Sequence, residues 1–255
     1  MIFGKMPLLA FCALAAFMLV LSMGAVAVGT EKGNGPEAKE KIVLIHYKKG
    51  FGKPPGTGGG KDKGGTKCYN FIANGAKWKS TPVDYVIDPD NQDGLPDWFV
   101  AGAIQQGAET WDANTSKELF GTYTFDYYSS WDGDSGDAPD GRNELLFGNY
   151  WEPGVIAITV IWGYFSGPPN KREITEFDVL FDTDYTWGDA DYNGVSAMDL
   201  QNIATHEIGH GIGLGDLYDT TCMEETMYGY SDYGETKKRT LNSGDITGLQ
   251  QLYGA

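Results

Sequence analysis

An α+β fold follows from three features of the sequence: short runs rich in β-branched and aromatic residues, two long stretches with helical spacing of apolar residues, and a third helical stretch at the C-terminus. The first strand-like run covers residues 42–47 and the second residues 83–87. Val100, Ala103, Ile104, Gly107, Ala108 and Trp111 then recur on one face and predict an amphipathic helix that lies against a sheet. Strands follow at residues 123–125, 144–147, 155–162 and 174–181. Ser196 and Asp199 have the spacing of a capping box, so the next helix is expected to start near Ser196, with Leu200, Ile203, Ala204 and Ile208 as its buried stripe. Residues 241–254 read as a closing helix.

The N-terminus has the pattern of an export signal. Lys5 supplies the charge, residues 8–21 are almost entirely apolar, and Ala25-Val26-Ala27 offers a small-residue cleavage site. Residues 7–28 are also nearly long enough to cross a bilayer, so an uncleaved anchor is the alternative. Residues 50–65, rich in glycine with Pro54, Pro55 and several lysines, have too little apolar surface to offset ordering entropy. A formal charge of −16 over 255 residues and a pI near 4.4 argue against a nucleic-acid partner, since phosphate binding needs a basic field.

Two of the three histidines, His206 and His210, stand four apart in Thr205-His206-Glu207-Ile208-Gly209-His210. Positions i and i+4 share a helical face and can offer two imidazole nitrogens to a tetrahedral Zn2+. Glu207 then sits beside the metal site as a general base. Gly211, Gly213 and Gly215 allow the chain to leave the helix and turn sharply, which brings Asp216 back as a third ligand. The alternative is that Asp216 merely caps a turn, but as third ligand it is the better candidate. If the third ligand were a histidine it could only be His46, in an apolar strand where a lone histidine is more often a packed or surface residue.

With these residues the C-terminal half resembles the catalytic domain of the matrixin branch of the metzincins, with Asp in place of the third His of the extended motif. Phe177-Asp178-Val179-Leu180-Phe181-Asp182 with Trp187, then Glu225-Thr226-Met227-Tyr228, then residues 241–254 carry the likeness, which covers most of the chain from about Lys77 onward. The resemblance implies a twisted, mostly parallel sheet with an antiparallel edge strand, two long helices, a Met-turn and a C-terminal helix. It implies that Met227, preferred over Met223, is the methionine beneath the zinc. Residues 155–162 are the expected exposed edge on which an extended polypeptide substrate pairs. The sequence departs from the family at Gly229 and Tyr230, where a proline usually follows the Met-Tyr pair, and at Tyr185, where a calcium-ligating carboxylate is expected.

The implied organisation is a signal peptide over residues 1–27, a leader over 28–66 and a zinc metallopeptidase domain over 67–255. The implied activity is endopeptidase hydrolysis by a secreted monomer, with no membrane partner unless the N-terminal segment stays uncleaved. Cys68 and Cys222 remain in the exported part and are expected to form a disulfide; the rival is a zinc-blocking role for Cys68. Ca2+ has two candidate loops, residues 88–97 and 131–137, both of which also read as solvated turns. The alternative of another class is an exported, zinc-stabilised binding or adhesion module with vestigial catalysis; Glu207 speaks against it.

Overall fold

Residues 38–52 and 67–255 are described by the computed structural model. The expected signal at residues 1–27 and most of the glycine-rich segment lie outside them. Alternating β-branched and aromatic residues form strands β1 (Glu40–Lys48), β2 (Val83–Ile87), β3 (Phe120–Phe125), β4 (Glu144–Gly148), β5 (Val155–Tyr164) and β6 (Glu173–Asp182). The short strands are β7 (Trp187–Gly188), β8 (Met198–Asp199) and β9 (Tyr230–Ser231). Helices are α1 (Asp97–Asp112), the single turn α2 (Ala190–Asn193), α3 (Leu200–Gly211) and α4 (Ser243–Tyr253).

The main sheet has the order β3-β2-β4-β6-β5-β1-β9. β3, β2, β4 and β6 run parallel, and β5 is antiparallel to β6. β5 is the expected antiparallel strand, but its free side is occupied: β1 pairs with it antiparallel, and β9 pairs parallel with the end of β1. Nine of its ten residues are buried, which suits its unbroken apolar sequence.

α1 and α3 pack together into the core shared with the sheet. Close approach is possible because Gly107 has no side chain; a Cβ there would come within 3.1 Å of the Thr205 amide nitrogen. The fully buried Trp111 fixes the crossing, its indole N–H donating to the Thr205 carbonyl at 2.8 Å. Burying a side chain of this size contributes about 3 kcal/mol, so the helix that bears the histidines is held firmly.

α3 begins four residues later than the sequence suggests. Ser196 ends a separate 3-10 turn, and Asp199 is the N-cap, its carboxylate accepting the Asn202 amide at 2.8 Å. The shift arises because residues 198–199 pair with β7, and because Arg239 binds the Asp199 carboxylate from outside. α4 starts with a reciprocal capping box between Asn242 and Asp245. Cys68 and Cys222 are joined in a disulfide, as expected, which leaves Cys68 no free thiol.

Candidate metal centre

α3 presents His206, Glu207 and His210 on its inner side, and all three are fully buried. The Nδ1 atom of His206 donates to the Thr226 carbonyl at 2.7 Å, and that of His210 to the Leu214 carbonyl at 2.8 Å. A carbonyl only accepts, so both rings carry their proton on Nδ1 and turn the Nε2 lone pair inward.

The chain leaves α3 through Gly213, whose φ of +107° and whose approach to Ala76 exclude a side chain; a Cβ would lie 2.4 Å from the Ala76 carbonyl oxygen. Gly211 and Gly215 are not in the positive-φ region; they leave room for the Phe177 ring and the Asn70 side chain. This turn brings Asp216 back, with Oδ1 3.2 Å from His206 Nε2 and 3.5 Å from His210 Nε2. All three atoms are buried without a hydrogen-bond partner, and they lie within 4.8 Å of one another. Three convergent buried acceptors are costly unless a cation satisfies them, and two imidazoles with a carboxylate are a donor set that suits zinc.

The three groups also perturb one another's titration. Burial, and then the charge of Lys238, lowers His206 to about 3. Burial also disfavours charge on His210, but the Asp216 carboxylate outweighs it and raises that pKa. Burial would raise Asp216; the two histidines overcome it and hold the carboxyl well below its usual range. Glu207 does not join the three. Its Oε2 accepts the Thr159 hydroxyl at 2.6 Å and its Oε1 lies 2.9 Å from His46 Nδ1. Burial pushes it up to about 7, against the opposing pull of His210 and Thr159.

His46 is fully buried and enters the centre from β1. Its ring lies against that of His206 with centroids 3.9 Å apart, and it forms a second grouping with His206 and Glu207, apart from His210 and Asp216. Met227 is buried and packs on α3, its sulfur occupying the space that a Cβ at Gly209 would need, whereas Met223 is 42% exposed. The Thr226 and Met227 amides both donate to the Asp245 carboxylate, at 2.7 and 3.1 Å.

Sequence reasoning did not bring Thr159, Lys238, Ser231 or Asp245 to the centre. Thr159 had a signal, as the one hydroxyl within the apolar run 155–162. Lys238 had none: it sits in a basic run that reads as solvated, yet it is fully buried, donates to the Tyr228 carbonyl and is lowered by burial to about 7.

The two acidic loops differ. In residues 88–97 the oxygens serve the fold: Asp88 accepts the Asp90 amide, Asn91 the amides of Asp93 and Leu95, and Asp93 that of Trp187. In the other loop Asp132 lies with Glu176 and Asp178, ligand atoms within 4.8 Å, and both Asp132 oxygens and Asp178 Oδ2 have no hydrogen-bond partner. Burial pushes Glu176 up to about 7 and Asp178 up to about 10.

Residues 165–254 match the sequence model of the matrixin family. Rat (Rattus norvegicus) matrilysin is 28% identical over 192 residues, which are 73% of this chain and 62% of that protein. Mouse (Mus musculus) matrix metalloproteinase-19 is 37% identical over 95 residues, 35% of this chain and 16% of that protein. Metalloendoproteinase 2-MMP of Arabidopsis thaliana is 39% identical over 96 residues, 36% of this chain and 22% of that protein. The chain therefore spans less than two thirds of the length of these relatives. Together with the sheet order and the closing helix, the matches bear out the matrixin-like catalytic domain expected from the sequence.

Proposed function

We propose that this chain, which contains a matrixin-like catalytic domain, is a zinc-dependent endopeptidase in which His206, His210 and Asp216 hold the metal and Glu207 is the general base. The observation that carries the reading is the convergence of His206 Nε2, His210 Nε2 and Asp216 Oδ1, buried and without partners. When bound, zinc supplies Lewis acidity to the peptide carbonyl and to the attacking water. Glu207 removes the proton from that water and returns it to the leaving amine, and burial raises its carboxyl above the usual carboxylate range. Thr159 holds the carboxylate in place through Oε2. Met227 forms the apolar floor under α3 without binding metal.

The substrate is a polypeptide, and the residues 1–27 pattern supports export, with the enzyme acting as a secreted monomer. Among the described residues no helix is long and apolar enough to cross a membrane. Calcium is proposed at Asp132, Glu176 and Asp178, where a divalent ion would meet both Asp132 oxygens and Asp178 Oδ2, all unpartnered, beside Glu176, whose oxygens accept the Asp140 and Gly141 amides. No observation favours a purely adhesive module.

Metal analysis of the dialysed protein, with cleavage of an unfolded protein substrate followed by peptide mapping, tests the reading. About one zinc per chain and zinc-dependent cleavage are expected. Zinc-loaded protein that cleaves nothing would overturn it.

A further inference from the structure

The main sheet ends at β3, which pairs with β2 on one side; among the described residues no strand pairs with the other. The Asp126 amide donates to the Ile87 carbonyl at 3.1 Å, and the Thr122 amide to the Asp84 carboxylate at 2.8 Å. Residues 122, 124 and 126 thus turn their amides towards β2, and the alternation of a strand turns those of Tyr123 and Phe125 to the open side. Natural edges are commonly guarded by lysine, proline or a bulge. Residues 120–128 contain neither lysine nor proline, and the irregular step in the β2–β3 register lies before Tyr123.

The side chains along this edge form a row. Tyr123 lies against the buried Tyr85 with centroids 6.0 Å apart, Phe125 follows at 5.6 Å, and Tyr127 lies 6.2 Å beyond it. The inner end is anchored in the core, whereas Phe125 and Tyr127 are 41% and 45% exposed. Tyr127 is held by its hydroxyl, which donates to Asp97 Oδ2 at 2.6 Å at the start of α1. Rings this exposed, yet fixed in place, can bind with little loss of side-chain freedom.

The surroundings are acidic. The hydrogen bond to Asp97, and also the charges of Asp97, Asp90 and Asp88, hold the Tyr127 hydroxyl above its ordinary pKa. Asp84 and Asp126 add two further carboxylates at the strand itself. Among the described residues only Asp126 of these five has a basic partner, Arg142 at 2.6 Å. The formal charge of −16 extends the same preference for a cationic ligand to long range.

We infer that β3 is a docking edge for a lysine- or arginine-bearing stretch of polypeptide, which adds as a strand beyond Tyr123 and Phe125 and lays its cationic side chains on Phe125 and Tyr127. The inference rests on the endopeptidase reading, in that this stretch belongs to the substrate and lies remote from the cleaved bond. β3 is four strand spacings from β5, which carries Thr159 against Glu207, a separation of about 19 Å. A substrate that meets both needs at least about six extended residues between them, so a short peptide cannot use the edge while being cleaved.

The test uses a fluorescent decapeptide of alternating lysine and threonine, and a counterpart with glutamate for lysine. Anisotropy reads their binding to the zinc-loaded Glu207→Gln chain, which spares the peptide, alone and with Phe125→Ala, Phe125→Ala/Tyr127→Ala or Phe125→Pro. The lysine peptide should bind at low salt and the glutamate peptide should not. Phe125→Ala/Tyr127→Ala is expected to weaken the lysine peptide roughly tenfold, through loss of two exposed cation–aromatic contacts. Phe125→Pro also removes the outward amide, which an edge strand tolerates, and should weaken it further than Phe125→Ala. Cooperative melting confirms that each variant folds. With Glu207 intact, the same variants should raise KM for a lysine-rich unfolded protein and leave cleavage of a short peptide unchanged. Equal binding of the two peptides, lysine-peptide binding that Phe125→Ala/Tyr127→Ala leaves unchanged, or a proline variant no weaker than Phe125→Ala overturns the inference. So does a dimer in sedimentation that Phe125→Pro dissolves, which assigns the edge to a second copy of the chain. Lysine-peptide binding that the variants weaken, with no hydrolysis of any substrate by the parent, upholds the docking edge and overturns the endopeptidase reading instead.

Discussion

Asp245 accepts the Thr226 amide at 2.7 Å, and the carbonyl of that same Thr226 holds Nδ1 of His206 at 2.7 Å. The closing helix thereby reaches the metal centre through one residue. An outer contact of this kind fixes the tautomer and aim of a ligand, and its loss typically costs about 10–100-fold in metal affinity. Asp245→Ala, measured by competition with a chromogenic chelator, should weaken zinc by that factor. Unchanged affinity would mean that the turn holds Thr226 without help from α4.

Asp216 gives the sharper test of the ligand set. Asp216→Ala leaves two histidines and should lose zinc by more than the roughly 10–100-fold of an outer-shell change. Asp216→His restores a third donor and should keep the metal wherever the Gly213 turn admits the ring. If Asp216→Ala retains zinc through dialysis against a weak chelator, the third ligand lies elsewhere, and His46 is the next residue to replace.

For Glu207 the expected result is retention of zinc with loss of hydrolysis. Glu207→Gln keeps the shape of the side chain but cannot accept the proton, so turnover should fall by about 10²–10⁴-fold. Rates within tenfold of the parent on metal-matched samples would remove it from the reaction.

The disulfide joins residues 154 apart in sequence, and constraining so long a loop contributes about 2–5 kcal/mol. Cys68→Ser/Cys222→Ser should therefore melt roughly 4 to 20 °C lower than the parent in the same buffer. An equal melting temperature would show that packing alone secures residues 67–70.

Glu176 and Asp178 carry pKa values raised by burial, to about 7 and about 10, from ordinary values of 4.5 and 3.8. Above pH about 4 the folded state thus binds more protons than the unfolded, and the stability these groups contribute at low pH is lost as the pH rises through 7 and beyond. Calcium would supply the charge that those protons provide. Melting should accordingly rise with millimolar calcium more at pH 8 than at pH 5, and Asp178→Asn should abolish the increment. Melting at pH 8 that is indifferent to calcium sinks the site.

Local pattern was enough to read much of this protein. Residues 83–87, 144–148 and 155–164 are strands because their apolar, β-branched sequence suits a buried sheet. His206 and His210 point to a candidate metal centre because helical geometry puts positions i and i+4 on one face. The return of Asp216 was legible too, through a glycine at 213 that sits where only positive φ makes the turn. Other features depend on contacts between distant residues. Asp199, not Ser196, caps α3 because β7 and Arg239 compete for that segment. Lys238 is buried although its basic neighbours suggest solvent, since only the fold encloses it with the Tyr228 carbonyl and His46. The edge of β5 reads as open to substrate, but pairing partners are chosen by three-dimensional register, which no local period encodes. Tertiary structure alone decides that residues 40–48 fill that edge and that His46, a lone histidine in an apolar run, lies 2.9 Å from the carboxylate of Glu207.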